Sequence, residues 1–146
     1  MTVLTTTGGT ELLANAKDSE DSEEVARFLP ALTSPAQARR FVRQSCPPST
    51  APEVLDTAVL LTSELVTNAV VHARSAVTVA VAISAATVQV AVTDDGEGVP
   101  VLDPATDVAE RGRGLGLVRE LSASWGVASL ATGKTVWFTL QLPGRD

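Results

Sequence analysis

The sequence predicts an α+β fold in which helices and a mostly antiparallel sheet form a two-layer α/β sandwich. Segments with alternating apolar and polar residues, typical of half-buried strands, occur mainly as neighbouring pairs. Segments with apolar residues three or four positions apart, typical of amphipathic helices, lie between these pairs. The order along the chain is strand, helix, helix, hairpin, loop, helix, hairpin. Strands and helices therefore segregate in pairs, and this segregation favours the α+β class.

Residues 1–24 are predicted to form a disordered acidic N-terminal tail, followed by one domain over residues 25–146. The tail is polar, and most residues from Asp18 to Glu24 are acidic. The first strand is predicted over Val25–Pro30, where apolar residues follow the acidic run. The tail is interpreted either as an inert extension or as a regulatory segment.

The first helix is predicted from Ser34 to about Cys46. Ser34 is a suitable capping residue, and Pro35 suits the first helical position. Two prolines directly after Cys46 end the helix. Its polar side carries three arginines, which serve either solubility or a contact with an acidic partner: Arg39, Arg40 and Arg43.

The longest predicted helix runs from Glu53 to Ala73, after Pro52. At 100° per residue, seven of its residues form one largely apolar arc that can pack on a sheet: Ala58, Val59, Thr62, Leu65, Val66, Ala69 and Ala73. Glu64, Asn68 and His72 are four positions apart and therefore share a neighbouring stripe. One edge of this helix can thus present polar groups to a cavity.

The second half of the chain is predicted to contain two hairpins separated by a glycine-rich region and a helix. In the first hairpin every second residue is a valine or an isoleucine, and a short turn joins the strands of each hairpin. The predicted segments are strands at Ala76–Ser84 and Ala86–Thr93, a helix at Gly116–Ala123, and strands at Trp125–Leu130 and Thr135–Leu142.

Length and composition are those of one folded domain with an aliphatic core. The chain has 146 residues, and 45% of them are hydrophobic but only 3% aromatic, so Val, Leu and Ala must fill most of the interior. The formal net charge of −6 argues against a general nucleic-acid binder, which usually carries a basic face. A single cysteine, Cys46, permits no internal disulfide. Neither a membrane-spanning apolar run nor a signal peptide is recognised, so a cytoplasmic protein is predicted.

The polar stripe of the long helix is a candidate site for a metal ion and for proton transfer. The amide oxygen of Asn68 can bind Mg²⁺, which accepts few protein ligands and completes its octahedron with phosphate and water. Glu64, one turn earlier, can accept a proton from an attacking hydroxyl group or water. The alternative is an exposed helix face with incidental polar residues. His72 is interpreted as structural, because the sequence contains no second histidine for a transition-metal site.

The segment Asp94–Gly98 follows a hydrophobic strand and is a candidate site for a purine base. An aspartate at a strand end can accept a hydrogen bond from an adenine amino group. Glycines beside it allow the backbone to approach the flat base. The alternative is an ordinary Asp-Gly turn. A calcium loop fits poorly, because its spacing and its terminal glutamate are missing.

The segment Gly112–Leu117 leads into a helix and is a candidate phosphate-binding loop. Three alternating glycines expose backbone N–H groups beside a helix N-terminus, and Arg111 and Arg113 add positive charge. The alternative is a flexible loop. Neither the dinucleotide fingerprint nor the Walker pattern fits the spacing. The preceding stretch, residues 98–112, can act as a lid. Together the three segments describe an ATP site without a Walker loop.

At these residues the chain resembles the GHKL ATPase superfamily, shared by sensor histidine kinases, gyrase, Hsp90 and MutL. It is most similar to the anti-sigma-factor serine kinases of the RsbW and SpoIIAB type, in their actinobacterial single-domain form. Four ordered strings carry the resemblance, which covers residues 25–142: ELVTNAVVHA, VTDDGEGVP, GRGLGLVRELSASWG and GKTVWFTL. The resemblance implies a Bergerat-type fold, with a mixed sheet covered on one face by helices and ATP between the two layers.

The resemblance also implies roles for individual residues. Glu64 would be the catalytic base, Asn68 would hold Mg²⁺, and Asp94 would bind adenine. Thr135 would support the water network beside the adenine. The other residues implied to line the ATP site are Gly96, Gly98, Gly112, Arg113, Gly114, Leu115 and Gly116.

Two functions follow from the resemblance. The first is a protein serine/threonine kinase that uses Mg²⁺ and ATP to phosphorylate a STAS-type anti-sigma antagonist, and thereby regulates transcription by partner switching. The second is a nucleotide-responsive, non-catalytic module that sequesters a sigma factor or an antagonist. Glu64 favours the kinase, because a pure binding module does not need this carboxylate. A homodimer is implied, and no direct contact with nucleic acid or membrane is expected.

Overall fold

The computed structural model describes residues 2–4, 21–96 and 112–143. Within these ranges the elements are β1 (Thr2–Leu4), β2 (Ser22–Phe28), α1 (Ser34–Ser45), α2 (Pro52–Asn68), β3 (Val77–Ile83), β4 (Thr87–Asp94), α3 (Gly112–Leu121), β5 (Ser124–Ser129) and β6 (Lys134–Gln141). The strands form one sheet in the order β1-β2-β3-β4-β6-β5. The predicted α+β sandwich is confirmed. Each described pairing is antiparallel, whereas the resemblance implied a mixed sheet.

One face of the sheet is apolar and lies under the helices. In β3, β4 and β6 every second residue is buried, as the pleat of a half-buried strand requires. The register places these residues side by side across the sheet, with Val79 opposite Val92 and Val90 opposite Phe138. We call this the inner face. It forms one side of the core, whose buried residues are mostly Val, Ala and Leu as the composition predicted.

Helix α1 packs against α2 and against β2 and β3. Its apolar side is buried, and the Phe41 ring meets Phe28 of β2 edge to face, with 6.1 Å between the ring centres. Ser34 was expected to cap this helix, and that expectation is wrong. The cap position is Thr33, and the Ser34 hydroxyl instead donates a hydrogen bond to the carbonyl oxygen of Leu29. Ser34 therefore fastens the β2–α1 connection to the start of the helix.

Helix α2 crosses the inner face and changes its geometry at its end. It is α-helical to Asn68 and then continues as a π-helical turn over Ala69–Ala73. The N–H of Arg74 donates to the carbonyl oxygen of Ala69, and Arg74 itself is left-handed with φ of 54°. The predicted end of the helix at Ala73 therefore agrees with the structure, although the last turn is wider than an α-helical turn.

The combined helix Pro52–Ala73 is long and apolar enough, by length and composition, to cross a membrane. Half of its most apolar window is buried within the fold, where it packs on β4, β6, α1 and α3. The core helix of a folded domain has the same properties. No other helix among the described residues meets these two criteria.

Helix α3 begins earlier than the sequence predicted. The glycine pattern indicated a loop up to Gly116, but the helix starts at Gly112 and ends at Leu121. Val118 is fully buried, and Leu115 and Leu117 pack against the core, so helical spacing of these apolar residues favours a continuous helix. The glycines of the candidate phosphate loop therefore lie in the first turns of α3.

The range predicted as a tail contains strand residues at both ends. Thr2–Leu4 pairs with β2, and β2 begins at Ser22, three residues before the predicted Val25. The acidic side chains of Glu23 and Glu24 therefore lie within a strand. Residues 5–20 are outside the described residues, so the boundary between tail and domain stays a prediction.

Candidate functional site

Asp94 is the last residue of β4, and its carboxylate is buried at the end of the sheet. Only 4% of the residue is exposed. One carboxylate oxygen, Oδ1, accepts a hydrogen bond of 3.0 Å from the backbone N–H of Gly96. The other, Oδ2, accepts one of 2.7 Å from the Lys134 ammonium group. A buried carboxylate needs such donors because desolvation disfavours its charge. The carboxylate predicted to accept a hydrogen bond from a purine is therefore held in place by Gly96 and Lys134.

The β5–β6 turn closes around the backbone of Asp94. Gly133 has a φ of +88°, a conformation in which a side chain is strained. A Cβ atom at this position would also overlap the carbonyl oxygen of Asp94. Glycine is thus required at position 133 for two reasons: the backbone is left-handed, and it lies against the carbonyl oxygen of Asp94. It brings Lys134 to the position opposite Asp94 in the β4–β6 ladder.

Gly96 connects the candidate base site to the end of α2. It is buried, and a Cβ atom built on it would lie 2.6 Å from Cβ of Ala73 and 2.9 Å from the Ala73 carbonyl oxygen. The loop after β4 can therefore lie this close to the π-helical turn only with glycine at this position. Two segments that the sequence analysis treated separately, Glu64–Ala73 and Asp94–Gly98, meet here.

The second aspartate of the loop, Asp95, faces away from this contact and is half-exposed. Its backbone N–H donates to the Ser75 hydroxyl at 3.0 Å, and its carboxylate accepts from the Arg27 guanidinium at 3.1 Å. These two bonds hold the backbone and the side chain of the residue that directly follows Asp94. Because the Arg27–Asp95 pair is half-exposed, its contribution to the stability of the fold is small.

Glu64 and Asn68 lie one turn apart on α2, and both are half-buried. The neighbouring Ser63 accepts a 2.8 Å hydrogen bond from Arg39, which ties α1 to this part of α2. One amide and one carboxylate oxygen donor suit Mg²⁺, which takes few protein ligands. The described residues contain no group of three His, Cys, Asp or Glu side chains placed to hold a metal ion. His72 is exposed.

The candidate phosphate segment is described only in part. Gly112–Leu121 forms α3, and the side chains of residues 112–114, Arg113 included, are outside the description. Among the described residues, nothing apart from neighbouring helical backbone lies within 4 Å of a Cβ atom built on Gly116. Leu115 is half-buried against the core. Gly98, Arg111 and the predicted lid over residues 98–112 fall outside the described residues, except for Gly112.

A cavity of about 420 Å³ lies at the other end of the sandwich. It is lined by the start of α2, the end of α3 and the end of β6, including Glu53, Leu121 and Leu140. None of the predicted site residues lines it. The cavity is therefore separate from the Asp94 end of the sheet.

Comparison with known proteins identifies the family and the fold of the chain. The sequence profile of the histidine kinase-like ATPase domain matches residues 28–140, most of the chain. The chain belongs to the histidine kinase-like ATPase family. This assignment confirms the resemblance on which the residue roles were based, and it supports an ATP-using activity in general terms.

A solved structure with a similar fold is that of the RsbU and RsbW domains of Rv1364c from Mycobacterium tuberculosis. The TM-score is 0.63 at 20% sequence identity, and the similarity covers 83% of this chain. The chain spans about a third (34%) of that structure's chain. At this identity the similarity concerns the fold alone. A search of curated proteins gave no match.

Within this ATPase fold, the structure does not bring Thr135 to the candidate base site. Asp94 and Lys134 both belong to the inner face, so their neighbours Thr93 and Thr135 lie on the outer face. There the two threonine hydroxyls are hydrogen-bonded to each other at 2.7 Å. The role that the resemblance gave to Thr135, support of water beside adenine, does not fit this placement.

Lys134 and Gly133 are the residues that the sequence analysis missed. A signal for Lys134 was present, because Val136, Phe138 and Leu140 mark the buried side of β6 and Lys134 shares their parity. Counting back two residues from Val136 places Lys134, and not Thr135, on the side of Asp94. The position of Gly133 depends on the β4–β6 register, which local sequence does not specify.

Proposed function

We propose that this member of the histidine kinase-like ATPase family binds ATP with Mg²⁺ at the Asp94 end of the sheet. It then phosphorylates a serine or threonine of a STAS-type anti-sigma antagonist. One observation carries the proposal. The buried carboxylate of Asp94 lies beside Gly96, which packs directly on the end of the helix that bears Glu64 and Asn68. This close contact links the candidate base acceptor to the helix that bears the candidate metal-binding amide and the candidate general base.

The chemistry assigned to the residues follows from their types. Asp94 would accept a hydrogen bond from the base, and Asn68 would bind Mg²⁺ through its amide oxygen. Glu64 would take the proton from the acceptor hydroxyl as that oxygen bonds to the γ-phosphorus and the bond between this phosphorus and the departing ADP breaks. When bound, Mg²⁺-ATP supplies the phosphoryl group, and the cation offsets its charge. Gly116 would leave room for the phosphates.

Nucleotide binding and phosphotransfer are measured separately to test this proposal. Calorimetric titration with ATP, with and without Mg²⁺, is expected to give saturable Mg²⁺-dependent binding. Asp94→Asn is expected to weaken that binding strongly, because an amide presents a donor where the carboxylate presents only acceptors. Asn68→Ala is expected to remove the dependence on Mg²⁺. Absence of binding in the unaltered chain, or equal affinity in Asp94→Asn, contradicts the proposal.

Phosphotransfer is tested with purified STAS-type antagonists and labelled ATP. Transfer of label to a serine or threonine supports the kinase. ATP binding without transfer to any antagonist tested favours the second candidate function, a nucleotide-responsive module that sequesters a sigma factor or an antagonist.

The second candidate is favoured by a surface at the start of α1. In the β2–α1 connection, Leu29 and Leu32 are 73% and 86% exposed and are three residues apart, so a protein partner could bury both. Farther along α1, Arg40 and Arg43 are also exposed and add positive charge to the helix. An acidic protein partner would complement this surface. Co-purification of a sigma factor, lost in Leu32→Asp, is the expected result for a sequestering module.

A cytoplasmic location and a homodimer are parts of the same proposal. Both rest on the similarity to regulators of the anti-sigma type. Sedimentation of the purified chain, with and without ATP, distinguishes a dimer from a monomer.

A further inference from the structure

Lys134 is the only described side chain that donates to the Asp94 carboxylate; the other described donor is a backbone N–H, that of Gly96. Its ammonium nitrogen lies 2.7 Å from Oδ2, and its side chain is 25% exposed against 5% for that of Asp94. The two residues are directly opposite each other in the β4–β6 ladder. The site thus presents an acceptor and a donor side by side at the end of the sheet.

An unpaired aspartate would select adenine. A carboxylate has only acceptors, so it binds the amino group of adenine and repels the carbonyl oxygen that guanine and hypoxanthine carry at the same ring position. A pocket in which Asp94 alone read the base would therefore discriminate strongly against 6-oxopurines.

The ammonium group of Lys134 changes this selectivity. It has three donors, and only one is needed for Oδ2. With adenine, Asp94 accepts from the amino group and Lys134 can donate to the adjacent ring nitrogen. With a 6-oxopurine, Asp94 accepts from the ring N–H and Lys134 donates to the adjacent carbonyl oxygen. The adenine edge and the 6-oxopurine edge each carry one donor beside one acceptor. Either base can therefore donate to Asp94 and accept from Lys134.

We propose that Lys134 is a specificity-determining residue that allows the base pocket to accept guanine as well as adenine nucleotides. The inference rests on the proposed function, in which Asp94 holds the base. It goes beyond that function in two ways: the nucleotide substrates are purine nucleotides in general, and Lys134 is the residue that allows both bases to bind. The competing interpretation is that Lys134 only neutralises a buried charge.

The test compares the affinities of ATP and GTP by calorimetry in four forms of the chain. These are the unaltered chain, Lys134→Met, Lys134→Arg and the control Arg27→Met. The control removes a cation from the adjacent aspartate, Asp95, whose ion pair lies outside the candidate base site. We expect the unaltered chain to bind the two nucleotides within about tenfold of each other.

Removal of the donor is expected to widen the preference for ATP. In Lys134→Met the carbonyl oxygen of guanine would lose its donor, and the ratio of GTP to ATP dissociation constants should rise on the order of 10- to 100-fold. Lys134→Arg, which retains donors, should restore most of the GTP affinity. Arg27→Met should leave the ratio unchanged. An unchanged ratio in Lys134→Met assigns Lys134 to charge neutralisation alone and overturns the proposal.

Thermal melting shows whether Lys134→Met folds. If it does not fold, the unaltered chain still tests the proposal. GTP binding more than about 100-fold weaker than ATP binding in the unaltered chain overturns the proposal without any variant. Comparable binding of inosine triphosphate, which has the carbonyl group but lacks the 2-amino group of guanine, supports the assigned carbonyl contact. If the unaltered chain binds neither ATP nor GTP, the proposed function itself fails and this inference fails with it.

Discussion

Gly96 packs directly against Ala73, and this contact joins the loop after β4 to the last turn of the helix that carries Glu64 and Asn68. The closeness depends on the absence of a side chain at position 96. It also involves the π-helical turn at Ala69–Ala73, a helix irregularity that often occurs at functional sites. The geometry of the candidate base site and that of the polar helix are therefore coupled through two small residues.

Gly96→Ala is expected to destabilise the fold and to weaken nucleotide binding. The new methyl group would lie 2.6 Å from Cβ of Ala73, so the loop must move away from the helix. Overpacking of this kind typically costs about 1–3 kcal/mol of unfolding free energy. Thermal or denaturant unfolding measures the loss. Adding Ala73→Gly should recover part of the stability; a full loss in the double variant would contradict a direct steric cause.

Gly116→Ala is the matched change at a glycine with free space around it. Among the described residues, nothing beyond neighbouring helical backbone lies within 4 Å of the added methyl group, and alanine favours the helical conformation of α3. The unfolding free energy should therefore rise by about 0.5–1 kcal/mol. If the open space at this position receives the phosphates, affinity for ATP should fall although the fold is more stable. Higher stability with unchanged affinity would remove Gly116 from the site.

The elements of the fold could largely be predicted because each has a strong local signal. Alternating valines in β3 and β4 fixed both strands to within a residue or two, and Pro52 fixed the start of α2. The start of α3 could not be predicted in this way. Its glycines lower helix propensity, but the buried Val118 and its apolar neighbours extend the helix through tertiary packing. Strand β1 was missed because three residues in a polar stretch carry little pattern.

The candidate site was predictable at the level of segments but not of contacts. Asp94, Gly96 and the helix with Asn68 follow from ordered motifs, whose meeting point depends on the fold. Alternation along a strand indicates which face of the sheet each residue lies on. In β6 this alternation predicts that Lys134, and not Thr135, lies on the same face as Asp94. The close approach of Gly133 to Asp94 is a property of two strands distant in sequence, so no local pattern reveals it.

Thr135→Val is expected to leave ATP affinity unchanged. The Thr135 hydroxyl bonds to Thr93 on the outer face, away from the Asp94 carboxylate. Loss of this bond should cost about 1 kcal/mol or less of unfolding free energy, and valine suits a strand position. Calorimetric titration with ATP checks the first expectation and denaturant unfolding the second. A large loss of affinity with intact stability would restore Thr135 to the base site.

Cys46 should be a slow nucleophile in the folded chain. Burial raises the pKa of the Cys46 thiol, and the thiolate is the reactive form. The reaction with a thiol reagent should therefore accelerate sharply when denaturant unfolds the chain. The unfolded chain releases this proton at lower pH than the folded chain, so the thiol's contribution to stability is complete at neutral pH and is lost as pH rises above the ordinary thiol range. Rapid labelling of the folded chain at neutral pH would contradict this expectation.

Glu64→Gln separates binding from chemistry. The change keeps the shape of the half-buried side chain but removes the group that would accept the proton from the attacking hydroxyl. ATP affinity should therefore stay within a few-fold of the unaltered chain, whereas the rate of phosphotransfer should fall by about 10²–10⁴-fold.

The matched control is Glu53→Gln, the same substitution at the other end of α2. Glu53 lines the separate cavity and lies far along the helix from Asn68, so transfer should be unaffected. Single-turnover transfer to an antagonist, measured with ATP above its dissociation constant, isolates the chemical step. Equal rates for Glu64→Gln and Glu53→Gln would remove Glu64 from the role of base. A loss of ATP binding in Glu64→Gln would instead assign its carboxylate to the binding of the nucleotide or its metal.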